Sequence, residues 1–356
     1  MQKYGFVFTF QLANNFFLEF PDAEIRIPQP DGKYLFISIL GRNPNTNRQE
    51  LRLNGKSFNT AEEAYGYAKN VTIALILCCA RLHAGIDLVA NMPPFKSYNK
   101  EENAKDAYRI NISEIEDKQD LERIHAAGCE EGIIQRVFES GHIVVYESGI
   151  PTFYTPGWHV RPIHGSANDK KFGIELNHAF SMNASISDKE ALAFDLYFTS
   201  HFEDSTQARF LILTTAIESI LEQKEAPRKT IQFIEQLKDL SDKSDLGLEQ
   251  IASLKNGLGR LKRESIKQTG RRLASERLKD QRYDEKSASN FFAYCYDIRS
   301  QLVHNGKADD RNDLGRLVYE LDRFVSDLLL SGIEPKYRSI STETREFEAS
   351  SGDDQL

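Results

Sequence analysis

Apolar and polar positions alternate along the first part of the chain. The runs Tyr4 to Phe10 and Lys33 to Leu40 carry aromatic and branched residues in a β-rich pattern and predict strands, the second one entered through a turn signal at Pro30, Asp31 and Gly32. Glu50 to Gly55 adds a short strand and turn, and His142 to Tyr146 another strand. Thr60 and Glu63 have the spacing of a capping box, a side-chain acceptor followed three residues later by a carboxylate, and open a predicted helix through about Leu82. Pro151, Pro156, Gly157, Pro162 and Gly165 mark 150–170 as loop. Residues 1–185 therefore read as an α+β domain.

From about Asp188 the strand signals stop. Ser187 and Glu190 form a second capping box, and Ser205 is placed to cap the next helix. The interior of that helix, from Ala208 to Leu221, is apolar almost all round, which predicts a position at the centre of a bundle. Pro227 suits the first turn of a further helix carrying Ile231, Ile234, Leu237 and Leu240 on one face. Leu314, Leu317, Leu321, Phe324, Val325 and Leu328 form the stripe of a last helix, predicted from about Asp310 to Leu330 and ended by Gly332 and Pro335. Helix follows helix with no strand between, so residues 186–335 read as an all-α bundle, and 336–356 as a polar, flexible tail.

Composition narrows the class. The 356 residues are 40% hydrophobic and 28% charged, enough for a real core and enough length for two domains. The longest apolar run, Thr72 to Ala80, falls well short of the ~20 residues a membrane span needs. Cys78, Cys79, Cys129 and Cys295 fit neither a disulfide framework nor a paired zinc site, and Cys78 and Cys79 read as core. No signal peptide is visible, so a cytoplasmic protein without membrane contact is expected. No phosphate loop or ligand-spaced His, Cys, Asp and Glu cluster is seen, and no metal or cofactor is expected. His83, His125, His142, His159, His164, His178 and His201 read as structural.

The formal net charge is −8, but it is unevenly spread. Residues 101–150 hold 12 acidic and 5 basic side chains, whereas 255–286 hold 11 basic and 5 acidic ones. Lys262, Arg263, Lys267, Arg271, Arg272 and Arg277 are candidates for phosphate contacts of the kind that dominate nucleic-acid affinity. The alternative is a solvated helix with internal ion pairs such as Arg260 with Glu264. Just downstream, Arg299 and His304 are separated by four residues and followed at once by Asn305-Gly306, a helix stop. Five helical steps set the two side chains ~140° apart. They can share a target only if the helix loosens at its end or if a second chain completes the site. Tyr294 and Tyr296 could stack on bases or belong to the core with Phe291 and Phe292.

Arg299, His304 and the Asn-Gly stop on a late helix, with the upstream helix Arg209 to Glu218, resemble the HEPN superfamily, specifically its ApeA-like branch. The resemblance covers about residues 188–332. It implies a HEPN-type helical bundle that forms a homodimer and cleaves RNA without a metal, in antiphage defence or a toxin-type stress response. Chemically, Arg299 suits a phosphate clamp and His304 a general acid/base, because a guanidinium fits phosphate oxygens in pairs and imidazole exchanges protons near neutral pH. Glu218, Ser300 and Asn305 are supporting candidates, Glu218 as partner of Arg299 or of another buried donor. The residue after the arginine is often Asn in the family and is Ser300 here. The alternative function is a non-catalytic HEPN module that binds RNA or only assembles a dimer. The N-terminal domain is then a sensing or regulatory element, its trigger phage-derived or otherwise.

Overall fold

The computed structural model describes residues 3–13, 16–19, 24–29, 32–42, 48–88, 136–140, 143–148, 167–307 and 313–333. The chain divides into two compact units, Met1–Ile186 and Ser187–Leu356. The acidic stretch 101–135, the proline-rich run before residue 167, Pro30, Asp31, Cys129, four of the histidines (His125, His142, His159, His164) and the tail beyond Ile333 lie outside the described residues.

The first unit is an antiparallel sheet covered by helices. Its strands are β1 (Lys3–Leu12), β2 (Glu24–Pro28), β3 (Tyr34–Arg42), β4 (Gln49–Phe58), β5 (Ile86–Asp87), β6 (Arg136–Ser140) and β7 (Ile143–Ser148), with α1 (Ala61–Arg81) after β4. The order is β2-β3-β4-β1-β7-β6, and β5 pairs with β1. β1 is central because Phe6, Phe8, Phe10 and Leu12 alternate along it and all are buried. Thr60 caps α1 by accepting from the Glu63 amide at 3.1 Å. Helix α2 (Ala167–Ser181) packs on α1 through buried Phe172, Leu176 and Ala179 and through Arg81 to Glu175 at 3.3 Å. No helix was expected at 167–181: its apolar stripe is short, and the segment follows a run of prolines and glycines. The surface of α1 supplies the burial that its own pattern does not advertise. Cys78 and Cys79 are fully buried, and burial pushes both thiols up.

The second unit is helical. Its helices are α3 (Asp188–Ser200), α4 (Thr206–Ser219), α5 (Arg228–Asp242), α6 (Leu248–Arg260), α7 (Ile266–Arg277), α8 (Ala288–Asn305) and α9 (Leu314–Ile333). The Ser187 and Glu190 capping box is complete, and Ser205 accepts from the Ala208 amide at 3.3 Å. α4 packs on α3, α7, α8 and α9, as expected of a central helix, yet Leu211 and Glu218 are only half-buried and Thr215 is exposed. One strip of the helix is therefore open, where full enclosure was expected. Pro227 sits just before α5 rather than in its first turn.

The basic segment is not one helix. Residues 261–265 break it between α6 and α7, where Arg263 forms a bridge with Glu225 and Ala226 donates to the Lys262 carbonyl at 2.8 Å. A two-residue hairpin, β8 (Arg282–Tyr283) with β9 (Lys286–Ser287), also interrupts the helices, so the unit is not free of strands. The hairpin buries Tyr283, whose ring lies 5.5 Å from Phe291 and 5.0 Å from Phe324 while its hydroxyl donates to Asp327 at 2.7 Å. Rings packed this way add about 0.5–1.5 kcal/mol per pair beyond the area they bury. No described helix is long and apolar enough to cross a membrane.

Helices α7 and α8 approach closely at Gly270, where an added Cβ would come within 2.1 Å of the buried Phe292 ring. Gly270→Ala is expected to cost about 1–3 kcal/mol in urea unfolding, the usual range for overpacking. Gly257, in α6 with nothing near its Cβ direction, supplies the contrast: Gly257→Ala should stabilise by about 0.5–1 kcal/mol.

Candidate functional site

Arg299 and Glu218 come together although 81 residues separate them. Glu218 is in the last turn of α4 and Arg299 in the second turn from the end of α8. Both side chains are half-buried, with Arg299 Nε 3.2 Å from Glu218 Oε1 and Nη2 3.4 Å from Oε2. A guanidinium at this depth keeps its charge and needs a fixed acceptor, and Glu218 is that acceptor. The open strip of α4 leaves the pair reachable from solvent.

His304 occupies the last turn of α8, exposed, and makes no polar contact among the described residues. The helix stops because Gly306 takes a left-handed conformation, φ 73°, and returns its amide to the Leu302 carbonyl at 3.0 Å. Asn305 is exposed and Ser300 half-buried. Arg299 and His304 are not joined by a hydrogen bond or ion pair within the chain: the guanidinium is held at Glu218 while the imidazole faces water.

The six basic candidates separate into three groups. Lys267 and Arg271 lie along α8: Lys267 reaches both carboxylate oxygens of Asp297 at 2.7 Å, and Arg271 donates to Ser289 Oγ at 3.3 Å and Asn290 Oδ1 at 3.4 Å. Asn290, Asp297 and His304 recur at seven-residue intervals, so Lys267 and Arg271 border the same outer stripe of α8 that carries His304. Arg272 and Arg277 line a separate cleft of about 300 Å³, with Lys189, Glu222 and Glu276, that includes neither Arg299 nor His304. Arg277 donates to the Leu328 carbonyl at 3.2 Å, and burial pulls its pKa below the usual arginine value. Lys262 is paired with Glu235, and Arg263 is exposed at the foot of α6. Glu264 partners Arg272 rather than Arg260.

A buried polar group escaped the sequence reading. His201, 1% exposed, places Nε2 3.1 Å from Asp322 Oδ1, with Arg209 Nη2 3.9 Å from the same oxygen. The Tyr197 ring meets His201 edge-on at 5.0 Å, and burial, then the Asp322 charge, push its hydroxyl pKa up. The cluster ties α3, α4 and α9 together. Its signal was Asp322, an acid four residues after Val318 and three before Val325 on the apolar stripe of α9. No group of three or more His, Cys, Asp or Glu able to hold a metal ion occurs among the described residues.

No family model matches the chain, and neither a curated protein nor a solved structure does.

Glu264 is the acceptor of a local clasp. It takes Arg272 Nε at 3.1 Å and Nη2 at 2.9 Å, the Lys224 amide at 3.2 Å and the Thr269 hydroxyl at 3.3 Å. The Arg272 guanidinium holds its carboxyl below the ordinary 4.5. A depressed carboxylate contributes stability that is complete above its unfolded value and lost as pH falls through its folded one. Glu264→Gln should therefore cost about 1 kcal/mol at pH 7, the pair being partly exposed. The gap between the two proteins' thermal melts should narrow as pH falls below 4.5 and close once Glu264 is protonated in the folded chain.

Proposed function

We propose that the helical unit is a HEPN-type, metal-independent endoribonuclease acting as a homodimer. The observation that carries the reading is the paired, solvent-reachable Arg299–Glu218 on facing helices, with an unengaged His304 one and a half turns further along α8. Glu218 presets the guanidinium for a phosphate, and two nitrogens of a planar fork match two phosphate oxygens. His304 takes the proton of the ribose 2′-hydroxyl as its oxygen attacks phosphorus. The bond to the 5′-oxygen breaks, and the imidazole of a second copy returns a proton to that oxygen. The products are a 2′,3′-cyclic phosphate and a 5′-hydroxyl end. A second copy answers the ~140° separation of Arg299 and His304 on one helix. Lys267 and Arg271 border the RNA path, with Ser300 and Asn305 as polar support. A cytoplasmic role in antiphage defence or a toxin-type response follows from the family resemblance, with the N-terminal unit as sensor.

A second reading has its own support. Lys262, Lys267 and Arg272 are already engaged by carboxylates, which leaves fewer free cations for phosphate. That shortage favours a dimeric interaction module over cleavage; a non-catalytic RNA-binding module would have to rest on Arg271 and Arg263.

The decisive assay is cleavage of labelled RNA in excess EDTA with analysis of the ends. The nuclease reading expects cyclic phosphate product and a loss of at least about a hundredfold in rate for His304→Ala, a change at an exposed side chain that leaves thermal stability intact. Glu218→Gln should lower turnover while RNA retention changes little. If wild type is as inert as the His304 variant yet binds RNA with a steep salt slope, the binding module is correct. Arg271→Ala should then reduce that slope by about one unit.

A further inference from the structure

Helices α5 and α6 form an antiparallel hairpin that packs on itself and makes no other substantial contact with the described elements. Its two broad faces differ. One is laced by ion pairs, Glu235 with Lys262 and Asp242 with Lys255, and Lys238 reaches across to Gly259. On α5, Phe233 and Leu240 each stand two residues before one of those acids, about 200° round the helix from it. Leu254 on α6 and Leu261, the residue that caps its end, each precede a paired lysine by one residue, about 100° away where the helical turn holds. Because the helices run antiparallel, these four side chains open on the face opposite the ion pairs. Phe233 is 59% and Leu240 64% exposed, Leu254 and Leu261 are exposed too, and α6 buries no residue at all. Soluble chains rarely leave so continuous an apolar face uncovered.

The charge along the hairpin indicates what covers it. The outer part, residues 239–254, holds four acids (Asp239, Asp242, Asp245, Glu249) against Lys243 alone. The inner part, 228–238 with 255–263, holds seven basic residues against Glu235 alone. A single-sign partner would suit one end and be repelled at the other. A second hairpin laid antiparallel sets each acidic tip against a basic foot.

We propose that this face is a self-association surface, occupied by the hairpin of a second copy in antiparallel orientation, giving a four-helix contact distinct from the site on α8. The apolar residues supply the affinity and the charge gradient the orientation. A face ~22 Å long and two helices wide is smaller than the ~800 Å² per partner of standard interfaces, so association is weak and concentration-dependent.

Sedimentation of the full chain over a range of concentrations tests it. Wild type should associate, and Leu254→Lys with Leu261→Lys should weaken this contact by at least about a hundredfold, since both leucines lose their burial. Both positions are exposed, and an unchanged melting temperature confirms the fold. Orientation is tested at low salt with a tip-reversed chain (Asp239→Lys, Asp245→Lys, Glu249→Lys) and a foot-reversed chain (Arg228→Glu, Lys229→Glu, Arg260→Glu). Each alone should associate less than wild type, and their mixture should form a heterodimer. Both chains keep α8 intact, so a contact through α8 cannot mimic that recovery. The proposal is overturned if wild type stays monomeric at about 100 µM, if the double leucine variant associates like wild type, or if mixing restores nothing.

Discussion

A charge withdrawn from water must meet a partner of fixed position, and in the helical unit this requirement sets the geometry that matters for chemistry. At half burial the Arg299 guanidinium meets the Glu218 carboxylate of the facing helix. The pair locks the end of α4 to α8 and fixes the orientation of the guanidinium. Asp322 imposes the same demand deeper in the unit, answered by His201 and Arg209. That cluster holds α3, α4 and α9 in the arrangement that leaves the Glu218 strip of α4 uncovered. Gly270 adds a steric condition: without a side chain there, α7 lies close enough for Lys267 to reach Asp297 on α8.

These constraints divide the basic segment by use. Arg272 is consumed by Glu264 and Glu276, and Arg277 is folded over the end of α9 against Gly332 and the Leu328 carbonyl. Their role is cohesion. Lys267 and Arg271 run beside the outer stripe of α8, and Lys262 and Arg263 stand at the foot of the hairpin. A segment that is uniformly positive as a string thus becomes three environments, because α6, the bridged turn at 261–265 and α7 point its side chains in different directions.

Much of the secondary structure was legible. The capping residues Thr60, Ser187 and Ser205 mark helix starts because a side-chain oxygen before an apolar period can satisfy free backbone amides. The Asn305-Gly306 stop was equally plain, since glycine reaches a positive φ without strain. Helix α2 was not legible, because its three core residues make sense only against α1. The hairpin β8–β9 was not either, being too short for any period and held by Tyr283 in a pocket that distant residues line. At the candidate site, Arg299, His304 and the need for a partner to a half-buried Glu218 could be read directly. The Asp322 cluster could have been, had one acid on an apolar stripe been weighed as a buried group.

The amino-acid sequence by itself determined the local periods, the caps, the end of α8 and hence which residue types stand at its last turns. These depend on interactions within a few residues, which a linear pattern records. Tertiary structure alone decided that Glu218 meets Arg299, that Glu264 holds Arg272 and not Arg260, and that Phe233, Leu240, Leu254 and Leu261 share one uncovered face. Such outcomes depend on which helix faces which and at what distance. That is settled by the sum of packing and charge burial over the whole unit, and no short stretch of chain encodes it.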